Sequence, residues 1–94
     1  MPEVLFRVRW PDDSVHRCYS PSTVIEEYFR VGGSSALTEF VALSRKALTE
    51  ASERVRAGHG FGCARAEAQL AGIELKAAGS ADQQADIVVE GYER

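Results

Sequence analysis

Val4, Phe6, Val8 and Trp10 place an apolar side chain at every second position, and Pro11-Asp12-Asp13 follows at once. Side chains two apart on a strand share a face, so this period marks a half-buried strand with Arg7 and Arg9 on its opposite side. Proline presets φ for the first central turn position, and Asp13 tolerates the left-handed conformation of a bulged three-residue loop. With that loop Trp10 faces Ser14, Val8 faces His16, Phe6 faces Cys18, and Arg7 faces Arg17. A two-residue loop would slip the register by one and set Arg17 among Phe6, Val8 and Trp10, where an unpaired charge is costly. The bulged hairpin is therefore expected, with Cys18 pointing into the core.

Ser20-Pro21 has the chemistry of a helix start, with Val24, Ile25, Tyr28 and Phe29 as its apolar stripe and Gly32-Gly33 as its stop. Ser34 or Ser35 opens a longer helix over 35–57, about 35 Å long, in which Leu37, Phe40, Val41, Leu48, Ala51 and Val55 keep helical spacing. Its other side carries Arg45, Lys46, Glu50, Glu53 and Arg54. Gly58 stops it, Gly60-Phe61-Gly62 makes a tight connection, and a third helix carries Cys63, Ala66, Leu70, Ile73 and Ala77. The polar stretch 79–84 reads as a loop. Asp86 to Tyr92 has the β-branched content of a last strand that joins the hairpin. The expectation is an α+β fold of order ββαααβ, a three-stranded sheet with three helices packed on one face.

The 94 residues fit a single domain over 1–94, and 45% apolar with 27% charged residues excludes a disordered or fibrous chain. A formal charge of −3 works against an extended nucleic-acid footprint, so no nucleic-acid partner is expected. Met1-Pro2-Glu3-Val4 has neither the basic nor the long apolar region of a signal peptide, and no apolar run reaches the roughly 20 residues that span a bilayer. A cytoplasmic location with no membrane partner follows as the expectation. Two cysteines, Cys18 and Cys63, are too few for a disulfide framework and should remain thiols.

Arg9-Trp10-Pro11-Asp12, Cys18-Tyr19-Ser20-Pro21-Ser22-Thr23, Ala51-Ser52-Glu53-Arg54-Val55-Arg56 and Gly60-Phe61-Gly62-Cys63 together resemble a family of small bacterial nitrogen-starvation response proteins. The resemblance runs from the first strand through the third helix and weakens after Leu75. It implies a genomic setting beside a nitrilase, a radical-SAM protein, an acetyltransferase and a flavoprotein, and it brings no catalytic residues with it. Where this chain has Asp13 and His59, the resemblance leads one to expect Gly and an aromatic residue.

Several constellations have chemistry to weigh. His16 with Cys18, and His59 with Cys63, contain the atoms of a Cys2His2 zinc set, but their spacing matches no common zinc module, and no metal or other cofactor is expected. Cys18 and Cys63 are the candidate nucleophiles, Cys63 near a helix start having the setting of an activated thiol, whereas the bland alternative for either is a small apolar residue in the core. The glycine-rich 58–62 segment with Arg65 exposes amides at a helix start, yet it follows a helix and so meets no nucleotide-binding fingerprint. Arg7, Arg9 and Arg17 form a basic strip on the sheet face away from the helices; with His59 and Arg65 they are the candidate ligand or partner surface. His16, Tyr19, Tyr28 and Cys63 are the candidate pocket between sheet and helices.

With no acid/base pair in a recognisable arrangement, the expected role is that of a non-catalytic accessory protein with protein partners from its own pathway. The alternative is a small-molecule binder or minor enzyme using that pocket. The helix over 35–57 outruns a small sheet, so a homodimer through it is the expected oligomer.

Overall fold

The protein is described from a computed structural model covering residues 3–59 and 64–94, the side chain of His59 excepted. Along the chain come strand β1 (Val4–Arg9), strand β2 (Val15–Ser20), a 3-10 helix (Thr23–Glu27), strand β3 (Ser34–Ala36), helix α1 (Leu37–His59), helix α2 (Ala64–Ala78) and strand β4 (Asp86–Glu93). The strands form one antiparallel sheet in the order β2-β1-β4-β3. The α+β class stands, but the described residues hold four strands and two α-helices where three strands and three helices were expected.

The hairpin has the expected register: Val8 pairs with His16, Phe6 with Cys18 and Arg7 with Arg17. Trp10 N–H donates to the Ser14 carbonyl at 2.8 Å, and Asp13 takes φ 69°. That positive φ is the reason a Gly would sit comfortably there, and Asp is among the few other residues that adopt it at modest cost. The Asp12 carboxylate closes the turn by accepting from the Ser14 amide at 2.9 Å and the Ser14 hydroxyl at 2.5 Å.

The expected first α-helix is instead a five-residue 3-10 helix. Its run Thr23-Val24-Ile25 is β-branched throughout, which disfavours α-helix. Ser22 is the N-cap, its hydroxyl accepting from the Val24 amide at 3.2 Å, while Ser20 ends β2 and donates to the Ser22 carbonyl. Tyr92 on β4 fastens the far end by donating from its hydroxyl to the Phe29 carbonyl at 2.5 Å.

Ser34 and Ser35 do not cap α1; they lie in β3, opposite Val88 and Ile87. Two of the free amides at the start of α1 are satisfied by the loop ahead of β4: Leu37 N–H donates to the Ala85 carbonyl at 3.0 Å and Thr38 N–H to the Gln83 carbonyl at 3.1 Å. Gln83 also donates its side-chain amide to the Ala77 and Ser80 carbonyls, capping the C-terminal end of α2. One polar residue therefore ties α2, α1 and β4 together.

β1 contributes Val4, Phe6 and Val8 to the core, the residue that follows it Trp10, β2 Cys18, and β4 Ile87 and Val89. Leu37, Phe40, Ala47 and Leu48 of α1 and Ile73 and Ala77 of α2 cover them, so both helices lie on one face of the sheet. Phe40 is the centre, edge-on to Trp10 at 5.9 Å between ring centroids and 5.1 Å from Phe29. The helices run antiparallel: Arg45 early in α1 pairs with Glu74 late in α2, while Ser52 and Arg56 border the same cleft as Ala66 and Glu67.

Candidate functional site

On the sheet face away from the helices the structure brings Arg7, Arg9 and Arg17 together, and two carboxylates from β4 stand among them. Arg9 Nε donates to Glu90 at 2.7 Å, Arg17 donates to Glu93 at 2.6 Å, and Arg7 lies 3.8 Å from Glu90 and 3.6 Å from Glu93. A register shift between Arg7 and Val8 in the β1–β4 pairing gives β4 a bulge, which lets both glutamates serve this face. An acidic ligand at this strip would compete with Glu90 and Glu93 for the same guanidinium groups.

Those of the other named residues that are described do not converge. Tyr28 donates its hydroxyl to Glu50 at 3.0 Å on the far side of α1, and that contact raises its pKa. Tyr19, in β2, donates its amide to the Gln69 side chain at 2.9 Å, and Arg65 of α2 lies over its ring at 3.9 Å. Edge strand β2 thus has an outward amide covered by α2. Cys63 and the His59 side chain lie outside the described residues. Among the described residues no group of three His, Cys, Asp or Glu side chains is placed to hold a metal ion. The space between sheet and helices is occupied by Phe6, Val8, Phe40, Leu48, Ile73 and Val89.

Cys18 is buried there, and desolvation pushes its thiol up to about 12. A nucleophilic sulfur has to be a thiolate, and burial works against that form.

The structure draws attention to a different surface, where α2 meets the hairpin. Lys76 extends over the Trp10 ring at 5.4 Å and reaches the Asp12 carboxylate at 3.1 Å. Hydrogen bonds from Ser14 and Lys76 hold the Asp12 carboxyl well below its ordinary range. The His16 ring lies tilted at 58° to the same indole, 6.1 Å between centroids. Shallow depressions of about 560 Å³ and 510 Å³ flank this bridge, the first bordered by Pro11, Leu75 and Ser80, the second by His16, Arg17 and Gln69. Trp10 is 4% exposed, and its indole N–H has no hydrogen-bond partner among the described residues.

Beside these depressions runs the outward face of α2. Ala64, Ala68, Ala71, Gly72, Leu75, Ala78 and Gly79 are all exposed there, with Leu75 at 77%. This face lies opposite Ala66, Ile73 and Ala77, so α2 has a second uncharged face that the core does not use. Sequence reading took only the inward stripe of this helix. The signal it passed over is Leu75 at seven residues from Ala68, four from Ala71 and three from Ala78.

No described helix is long and apolar enough to cross a membrane. No curated protein and no solved structure matches the chain. A family model described as nitrogen starvation-induced protein NitG matches residues 5–92, which takes in all the strands and helices described above except the first residue of β1 and the last of β4. The chain therefore belongs to the family of nitrogen starvation-induced NitG proteins.

Proposed function

We propose that this protein serves the nitrogen-starvation response as a non-catalytic interaction protein, and that the outward face of α2 is its contact surface. The observation that carries this reading is Leu75. A leucine with 77% of its surface in water, on a face with no charge over four helical turns, contributes little apolar burial to the folded chain. Burying it against a partner is worth roughly 1.5–3 kcal/mol. The polar groups elsewhere support the reading: the arginine strip is paired with Glu90 and Glu93, Tyr28 with Glu50, and Cys18 is held as a thiol. The partners belong to the pathway that operates under nitrogen limitation, in the cytoplasm. The test is recovery of tagged wild-type protein and of Leu75→Glu from nitrogen-limited host cells, with mass spectrometry of what co-purifies. A discrete protein held by the wild type and lost with Leu75→Glu supports the reading; identical recoveries overturn it.

A second reading draws on the 510 Å³ depression, which His16, Gln69 and Lys76 border beside Trp10. Those groups suit a small carboxylate-bearing molecule, with the indole as its apolar wall. Concentration-dependent thermal stabilisation by a small dicarboxylate, abolished by Lys76→Met, would favour this reading over the first.

A further inference from the structure

The outward face of α2 has a finer pattern than absence of charge. Ala64, Ala68, Ala71, Leu75 and Ala78 follow one another at alternating steps of four and three, the spacing of a seam that meets another helix along its whole length. Small residues in that seam let two backbones approach to the close end of the 8–10 Å range of helix pairs. Gly72 adds to this: a Cβ there would meet nothing within 4 Å, so packing inside the chain does not call for glycine. In a helix interior it costs about 1 kcal/mol relative to alanine.

The two borders of the seam carry opposite charge. On the side of β2 stand Arg65, over Tyr19, and Lys76, against Asp12. On the side of α1 stand Glu74, paired with Arg45, and Glu67, beside the cleft that Arg56 lines. We propose that the seam is a self-association surface, on which a second copy of the chain lays its own α2 in parallel. A two-fold axis along the helix turns the anionic border of each copy onto the cationic border of the other, on both flanks. Arg65 and Glu67, and likewise Lys76 and Glu74, are two residues apart, so the facing charges differ in height by about 3 Å. An antiparallel pair would set cation against cation and glutamate against glutamate. The exposed side of α1 carries Glu39, Arg45, Lys46, Glu53, Arg54 and Arg56, so the α2 seam is the better candidate for a dimer than the longer helix. A 15-residue helix presents less than a standard interface, the size class of weak, reversible associations.

This inference rests on the interaction-protein reading and gives it an occupant. It is tested by sedimentation velocity on the full chain from about 5 to 500 μM. The expected result is a reversible monomer–dimer equilibrium that Leu75→Glu weakens roughly 10- to 100-fold, with an unchanged melting temperature because Leu75 is exposed. Under mild oxidation Leu75→Cys in a Cys63→Ser background should cross-link to itself, while a mixture of Ala64→Cys and Ala78→Cys chains should not form the mixed product. A monomer throughout, a dimer indifferent to Leu75→Glu, or the mixed Ala64→Cys/Ala78→Cys product overturns the proposal. A monomer that still contacts a different protein through position 75 in cells would overturn self-association alone and leave the interaction reading standing.

Discussion

The Arg7 guanidinium lies across Gly91, its cross-strand partner, with a terminal nitrogen 2.9 Å from where a Cβ of Gly91 would stand. The missing side chain is what lets Arg7 lie flat between Glu90 and Glu93. Gly91 has no positive φ, so alanine is free of backbone strain there, and the obstructed group is the far end of a flexible side chain. Gly91→Ala should displace Arg7 while changing stability by less than about 1 kcal/mol, because exposed ion pairs contribute little. Urea denaturation checks the stability, and a loss above 2 kcal/mol would show that the arginine is held more firmly than the geometry implies.

Removing the two glutamates should free the basic strip. The double variant Glu90→Gln, Glu93→Gln leaves Arg7, Arg9 and Arg17 without the carboxylates that now pair with them. It should elute from a heparin column at distinctly higher salt than the wild type. Equal elution would mean that the face is not available to polyanions even when unpaired.

Asp12 sets a stability increment on the acid side. Its carboxyl is held below the ordinary 3.8 by Ser14 and Lys76. A depressed folded-state value adds stability that is present above the unfolded value and is lost as pH falls through the folded one. Between pH 5 and 2 the wild type should lose more stability than Asp12→Asn, whose denaturation midpoint should vary less with pH. Parallel curves would remove Asp12 from the account.

Cys18 and Tyr92 act at the other end of the pH scale. Burial raises both to about 12, from 9.0 for the thiol and 10.0 for the phenol. The contribution of each is whole below its unfolded value and is lost as pH rises through the folded one, so stability should fall between pH 9 and 12. Tyr92→Phe, which also removes the hydrogen bond to Phe29, should cost about 1 kcal/mol at pH 7 and soften the alkaline decline. Maleimide at pH 7 should label Cys18 only in denaturant.

The hairpin was legible in the sequence because alternate residues and one turn decide everything about it: Asp13 had to take the left-handed conformation, and Arg17 could not face Phe6. β3 was not, since Ser34-Ser35-Ala36 is three residues long with no β-branched side chain, and its pairing depends on Val88 and Ile87 more than 50 residues away. The same two serines look like a helix cap in sequence; the amides of Leu37 and Thr38 find Ala85 and Gln83 instead, a long-range choice that local pattern does not contain. The arginine strip was foreseeable from strand alternation, whereas Glu90 and Glu93 reach it through a bulge in β4 that nothing nearby in sequence announces. Leu75 was overlooked because a helix that satisfies one apolar stripe with Ala66, Ile73 and Ala77 gives no reason to seek a second.

The central claim is that Leu75 meets another protein surface when the chain does its work. A photo-crosslinking amino acid at position 75 in nitrogen-limited cells, with the exposed Glu53 position of α1 as reference, reads this directly. The account predicts a discrete covalent adduct from position 75 and none from position 53, whether the adduct is a second copy or another protein. No adduct from position 75 above that of position 53 would contradict it.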